Sequence, residues 1–269
     1  MRFGICVYIE DVGAAERAGY DYVELTVTNV IPAVGEADFQ MLKKKLRSYS
    51  IQPEAWRRFL PSTVPVVGKA VNSAILTEYV KTTLDRISDL GGKVVVFGSP
   101  AARNIPEGFS TDKAHDQLIR FLHMTADVAA ANDIIVVIEP IIRKNCNVIN
   151  LVSEAVVLAH EINRPEIKTL ADLYHMTGND EPVNAITEAS KDLYHVHMPV
   201  PDIAGLGEAR SITTAMPAYR IQEFLERLWR ANYAHRVSVE DLDRRFMNLE
   251  REAPLVLSHI REIWQGVSM

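Results

Sequence analysis

Residues 131–140 read Ala131-Asn132-Asp133-Ile134-Ile135-Val136-Val137-Ile138-Glu139-Pro140. Asn132-Asp133 is a helix stop, an unbroken Ile/Val run follows, and the run ends on a carboxylate before a proline. A continuous β-branched run is what a parallel strand buried on both faces needs. A carboxylate closing such a run is costly unless it is paired or coordinated.

The same pattern recurs outward in both directions. Further apolar runs are Phe3–Tyr8, Tyr22–Leu25, Ile51–Trp56, Val94–Phe97, Ile167–Leu170, Leu193–Val196 and Arg236–Val239, which with Ile134–Ile138 makes eight. Amphipathic segments lie between them: Asp11–Ala18, Phe39–Tyr49, Ala70–Leu90, Asp112–Asn132, Leu151–Ile162, Pro182–Lys191, Ala218–Asn232 and Asn248–Gln265. Ser110 and Thr111 are N-cap residues for the fourth of these, and Gly19 and Gly91-Gly92 stop helices just before strands. Eight strands alternating with helices predict an α/β chain closed into one (β/α)₈ TIM barrel, a single domain over residues 1–269. The competing open, doubly wound sheet usually carries a glycine-rich phosphate loop after its first strand, and none follows Tyr8.

Composition agrees. Of 269 residues, 48% are hydrophobic and 24% charged, ordinary for a folded globular chain. The net charge of −6 lowers the expectation of nucleic-acid binding, since an acidic body repels phosphates. Two cysteines without a CxxC motif fit a reducing cytoplasm. No apolar run approaches the roughly 18 residues of a membrane span, and the N-terminal stretch reads as a first strand rather than a leader.

Active sites of (β/α)₈ barrels are built at the C-terminal ends of the strands. Here the fifth to eighth strands end in Glu139, Asp172, His197 and Glu240. With neighbouring strands about 4.8 Å apart, four such ends converge on one ion, and these donors suit Mg²⁺, Mn²⁺, Co²⁺ or Zn²⁺. A strand-end carboxylate also caps helices, so the argument rests on all four occurring in succession. His195 and His197 share one side of their strand. His197 lies nearer the mouth and is favoured as ligand, with His195 beneath it bonding a ligand carboxylate; spacing alone leaves the two interchangeable. His175, where the sixth strand turns into its loop, is a candidate substrate contact or acid/base group. Arg103 and Arg143 are candidate anchors for a hydroxyl, carboxylate or phosphate. Trp56 is a candidate apolar wall at the mouth, with core packing as its competing reading.

Ile138-Glu139-Pro140, Leu170-Ala171-Asp172-Leu173-Tyr174-His175-Met176, His195-Val196-His197-Met198-Pro199 and Ser238-Val239-Glu240-Asp241 together resemble the xylose isomerase-like barrel family. That superfamily includes ketose 3-epimerases, hydroxypyruvate isomerases, inosose dehydratases and endonuclease IV. The resemblance runs along essentially the whole chain and implies a divalent-metal enzyme of sugar metabolism. It implies one ion, usually Mn²⁺, on Glu139, Asp172, His197 and Glu240. It further implies that Glu139 and Glu240 move the proton and that His175 meets a substrate hydroxyl. Two departures leave the substrate open. Asn145 stands where ketose 3-epimerases commonly have a second glutamate, and Gly207-Glu208-Ala209-Arg210 is only an echo of their G-E-x-N-R run, so Arg210 is a candidate in place of that arginine.

The expected reaction is epimerisation or isomerisation of a keto-sugar or related polyol through an enediolate. The alternative is a lyase of the same family, an inosose-type dehydratase or a β-eliminating enzyme of 3-keto-glycosides. Endonuclease IV-like repair needs a three-metal cluster, for which eight histidines, four of them (His115, His123, His160 and His259) on helices, give little material. The resemblance also implies a homo-oligomer, with a hetero-oligomer as the other possibility, and a small sugar rather than nucleic acid or membrane as partner.

Overall fold

Each of the eight apolar runs forms a strand: β1 (Arg2–Cys6), β2 (Tyr22–Thr26), β3 (Pro53–Arg57), β4 (Val94–Phe97), β5 (Ile135–Ile138), β6 (Ile167–Asp172), β7 (Leu193–Pro199) and β8 (Arg236–Glu240). All pair in parallel in chain order, and β1 pairs with β8 to close the barrel. The structure, a computed structural model, describes residues 1–201, 218–241, 246 and 248–268.

The helices are α1 (Val12–Ala18), α2 (Glu36–Leu46), α3 (Ser73–Asp89), α4 (Pro100–Arg103), α5 (Thr111–Ala131), α6 (Val152–Ile162), α7 (Leu173–Gly178), α8 (Ala185–Glu188), α9 (Ala218–Arg230) and α10 (Leu249–Ser268). The caps explain the boundaries. Asn72 and Ser110 accept from the first free N–H groups of α3 and α5, and Gly19 ends α1 at φ 84°. In α3, Leu76, Val80, Leu84 and Ile87 are buried at helical spacing, one stripe laid against the barrel.

Two elements depart from the sequence reading. The expected helix over Pro182–Lys191 shrinks to α8, because the chain turns at Ala189 and Leu193 N already bonds Ala189 O on entering β7. The turn after β6, expected as a loop, is helix α7, which Asp172 starts: its Oδ1 accepts from Tyr174 N at 2.6 Å and His175 N at 3.3 Å.

Side chains alternate between the two faces of the barrel wall. One face packs inside the barrel, where Tyr22, Ala55, Val94, Val96, Val137 and Leu170 form a cluster. The other packs against the helices, with Val95, Phe97, Val136, Ile138, Ala171 and Val196 in the larger core. Gly4 belongs to the inner face: a Cβ there would lie 2.3 Å from the Tyr22 ring, so β1 gives up a side chain to let that ring into the barrel.

Candidate metal centre

Period two carries the inner row to the strand ends. Two residues beyond Val137 is Glu139, beyond Leu170 is Asp172, beyond His195 is His197, and beyond Ser238 is Glu240. One donor atom from each of these four lies within 4.8 Å of the others. His197 Nδ1 faces Glu139 Oε1 at 3.1 Å, Glu240 Oε2 at 3.3 Å and Asp172 Oδ2 at 3.9 Å. All four residues are buried.

Three carboxylates in one buried space repel one another, and Asp172 registers this. Burial, with the charges of Glu240 and Glu139 adding to it and His175 opposing, pushes the Asp172 carboxyl up to about 6. Burial would also raise Glu240, but the charge and hydrogen bond of His197, with Arg57, outweigh it and bring it down to about 2. Burial would lower His197, yet Glu24 and Glu240 hold it well above its ordinary value. A protonated imidazole there offsets part of the surrounding carboxylate charge. The residues fit a divalent cation: the donors are oxygen-rich, they converge, and their buried negative charge is incompletely balanced. Among the described residues the other group near enough to hold an ion, Cys6, Glu24 and His197, shares His197 with this one, so no three-metal cluster of the repair-enzyme kind is assembled.

The remaining expected site residues fall into three groups. His175 is brought to the site: its Nδ1 accepts weakly from Ile142 N at 3.4 Å, while Nε2 lies 3.9 Å from Asp172 Oδ2. Arg143 is exposed on the loop after β5, and Arg210 lies outside the described residues. Arg103 and Trp56 are corrections. Arg103 is fully buried, and its guanidinium donates to the carbonyls of Phe97 at 2.8 Å, Glu139 at 2.6 Å and Ile149 at 3.3 Å, so it braces the backbone under Glu139 and has no free edge for substrate. Trp56 is on the outer face, fully buried against the helices with Nε1 donating to Pro53 O, so it is core and not a wall of the mouth. His195 lies beneath His197, but bonds Glu24 rather than one of the four candidate ligands.

The sequence model of the xylose isomerase-like TIM barrel family matches residues 12–263. The chain belongs to this family. It is 23% identical over 188 residues to an L-ribulose 3-epimerase from Methylomonas sp. (strain DH-1), a match over 70% of this chain that spans only 64% of the relative's length. Among solved structures, a D-psicose 3-epimerase from Clostridium cellulolyticum H10, described with D-tagatose, superposes with a TM-score of 0.78 at 17% identity, covering 98% of this chain and 99% of that one. The IOLI protein, described with a binding zinc atom, superposes with a TM-score of 0.76 at 17% identity over the full length of both chains. At these identities the structures attest the family's fold.

Within that fold, three residues around the centre escaped the sequence reading. Arg57, inward at the end of β3, donates from Nη1 to Glu240 Oε1 at 2.7 Å. Glu24, inward on β2, bonds His197 Nε2 at 3.0 Å and His195 Nε2 at 2.8 Å. Gly98, just beyond β4, leaves space that a Cβ would fill: that atom would lie 2.0 Å from Glu139 Oε2. A cavity of about 350 Å³ opens at the same mouth beside Arg57, lined also by Cys6, Tyr8, Glu10, Asp11 and Asp241. The one signal available for the glutamate and the arginine was a charged residue at an even step along an apolar strand.

Proposed function

We propose that the chain is a divalent-metal-dependent enzyme that epimerises or isomerises a keto-sugar or related polyol by removing a proton from the carbon beside a carbonyl. The observation that carries this reading is the convergence of Glu139, Asp172, His197 and Glu240 within 4.8 Å at one end of a closed barrel. The family and its epimerase relatives support it. The four residues would hold the ion, with Mn²⁺ expected from the family resemblance and Mg²⁺, Co²⁺ or Zn²⁺ compatible with the same donors. A bound divalent cation supplies Lewis acidity, polarising the carbonyl and stabilising the negative charge that develops as the proton leaves.

The chain's own residues do the rest. Glu139 and Glu240 take and return the proton at carbon. His175 presents Nε2 toward a substrate hydroxyl, since Nδ1 is engaged by Ile142 N. Arg143, exposed on the loop after β5, remains a candidate anchor for a hydroxyl, carboxylate or phosphate of the substrate. The buried, unpaired cysteines suit a cytoplasmic setting, no helix among the described residues is long and apolar enough to cross a membrane, and association into homo-oligomers through the outer helices is expected.

A second reading, a lyase, is favoured by one contact. Arg57 holds Glu240 Oε1, which hampers Glu240 as a proton carrier and leaves Glu139 as the working base. A single base suits elimination of a β-hydroxyl or a glycosyl group from a 3-keto compound better than exchange across two faces. Proton NMR in D₂O, with Mn²⁺ and a panel of ketoses, inososes and 3-keto-glycosides, tests both. Deuterium entering the carbon next to a carbonyl is the expected result, and the product separates epimerase, isomerase and lyase. Absence of exchange together with absence of metal uptake overturns the proposal.

A further inference from the structure

Tyr22-Val23-Glu24-Leu25-Thr26 is an apolar strand interrupted by one carboxylate, and Glu24 has no exposed surface. An ion that deep costs several kcal/mol unless it is paired and hydrogen-bonded. Both Glu24 oxygens are engaged. Oε2 accepts from Ser238 Oγ at 2.6 Å and lies 2.8 Å from His195 Nε2, and Tyr22 OH meets Ser238 Oγ at 2.9 Å. These partners, all without exposed surface, leave Oε1 fixed toward His197 Nε2 at 3.0 Å.

The geometry points to Glu24 as the positioning residue of the metal centre, the group that obliges His197 to offer Nδ1, and only Nδ1, to the ion. This rests on the reading of His197 as a ligand. An ionised carboxylate can only accept, so the nitrogen facing it must carry the proton. Nδ1 also faces carboxylate oxygens, those of Glu139, Glu240 and Asp172, but these are the ion's own proposed ligands, so an ion among them would displace the Nδ1 proton and take that lone pair while Nε2 keeps its proton on Glu24. The opposite tautomer would set a bare Nε2 against Glu24 Oε1. A carboxylate behind a ligating imidazole also raises the ring's basicity and fixes its plane. The contact runs across the barrel from β2 to β7, between strands that do not pair, so β-sheet hydrogen bonding does not account for it. His195 then has its own purpose: with Ser238 it holds the other oxygen and so aims the first.

The test uses the full-length protein and metal alone. Titration calorimetry with Mn²⁺ or Zn²⁺, without substrate, should show Glu24→Gln binding roughly 10- to 100-fold more weakly than the parent. Ser238→Ala removes a donor from the same carboxylate but spares the His197 contact, so it should weaken binding clearly less than Glu24→Gln, as a residue that aims the first oxygen only through the second. Were the network merely a strut, the two variants would lose affinity alike. Nitrogen NMR of the zinc-loaded parent supplies a readout that does not depend on a variant folding: His197 should show a protonated Nε2 and a zinc-bound Nδ1. Zinc on Nε2, or equal affinity of Glu24→Gln and parent, overturns the inference while leaving the functional reading standing. A parent that takes up no metal removes both.

Discussion

Strands β5–β8 and β1–β4 share one closed sheet and one alternation of faces, but their inward ends differ in kind. The later four end in Glu139, Asp172, His197 and Glu240, each bearing a lone pair for an ion. The earlier four place Cys6, Glu24, Arg57 and Gly98 on the same inner row. One of these receives the imidazole, one receives the glutamate at the end of β8, and one, by having no side chain, makes room for the glutamate after β5. The thiol of Cys6, raised well above its ordinary value by burial and by Glu24, stays protonated. One half of the barrel supplies the four proposed ligands, and the other half holds the side chains that touch them or make room for them.

The largest effect that would break this division is on turnover. Glu240→Gln should lower it by roughly 10²- to 10⁴-fold with the fold retained, the usual worth of a positioned acid or base. Full activity would strip Glu240 of its role in the ligand half. Next, Arg57→Met should destabilise the metal-free protein by about 3–5 kcal/mol, because it leaves Glu240 buried without its partner. Added Mn²⁺ should return part of that loss in a denaturant titration. Equal stability of variant and parent would mean that the ion pair from β3 contributes nothing. Gly98→Ala should weaken metal binding by about tenfold, the cost of displacing one ligand oxygen, with an unchanged circular dichroism spectrum. Unaltered affinity would show that the Glu139 carboxylate has other places to go.

The smallest effect is a control away from both halves. Glu181 caps the start of α6 by accepting from Val152 N at 2.8 Å, and burial raises its carboxyl to about 7. A carboxyl raised on folding contributes its full stability below its unfolded value of 4.5 and loses it as pH rises through about 7. Glu181→Gln should therefore gain on the parent in melting temperature between about pH 5 and pH 8. The gain should be the same with and without metal.

The convergence of Glu139, Asp172, His197 and Glu240 was legible in sequence because each ends an apolar run and the four follow one another along the chain. The supporting half was not, because each support is defined by a remote partner. Glu24 lies 173 residues from His197, and Arg57 lies 183 from Glu240. Only barrel closure brings them together. Trp56 misled for a related reason. The pairing of β2 with β3 shifts between Val23 and Glu24, so the phase of β3 could not be counted from its neighbour, and the tryptophan fell outward. Arg103 resembled an anchor because it follows a strand end, but the single turn of α4 folds it back under Glu139. The barrel itself survived these errors, since strand number and alternation do not depend on the phase of any one strand.

The closing pair β1–β8 has a consequence for how the protein is made. A nascent chain emerging from the ribosome holds Glu24 and Arg57 long before His197 and Glu240 have been synthesised. Contacts of such sequence separation form late and slowly. An ion cannot nucleate this fold in the way it nucleates a short chelating finger. At the proposed site it would bind only the finished cylinder, and by mass action its binding energy would resist global unfolding rather than the opening of one segment.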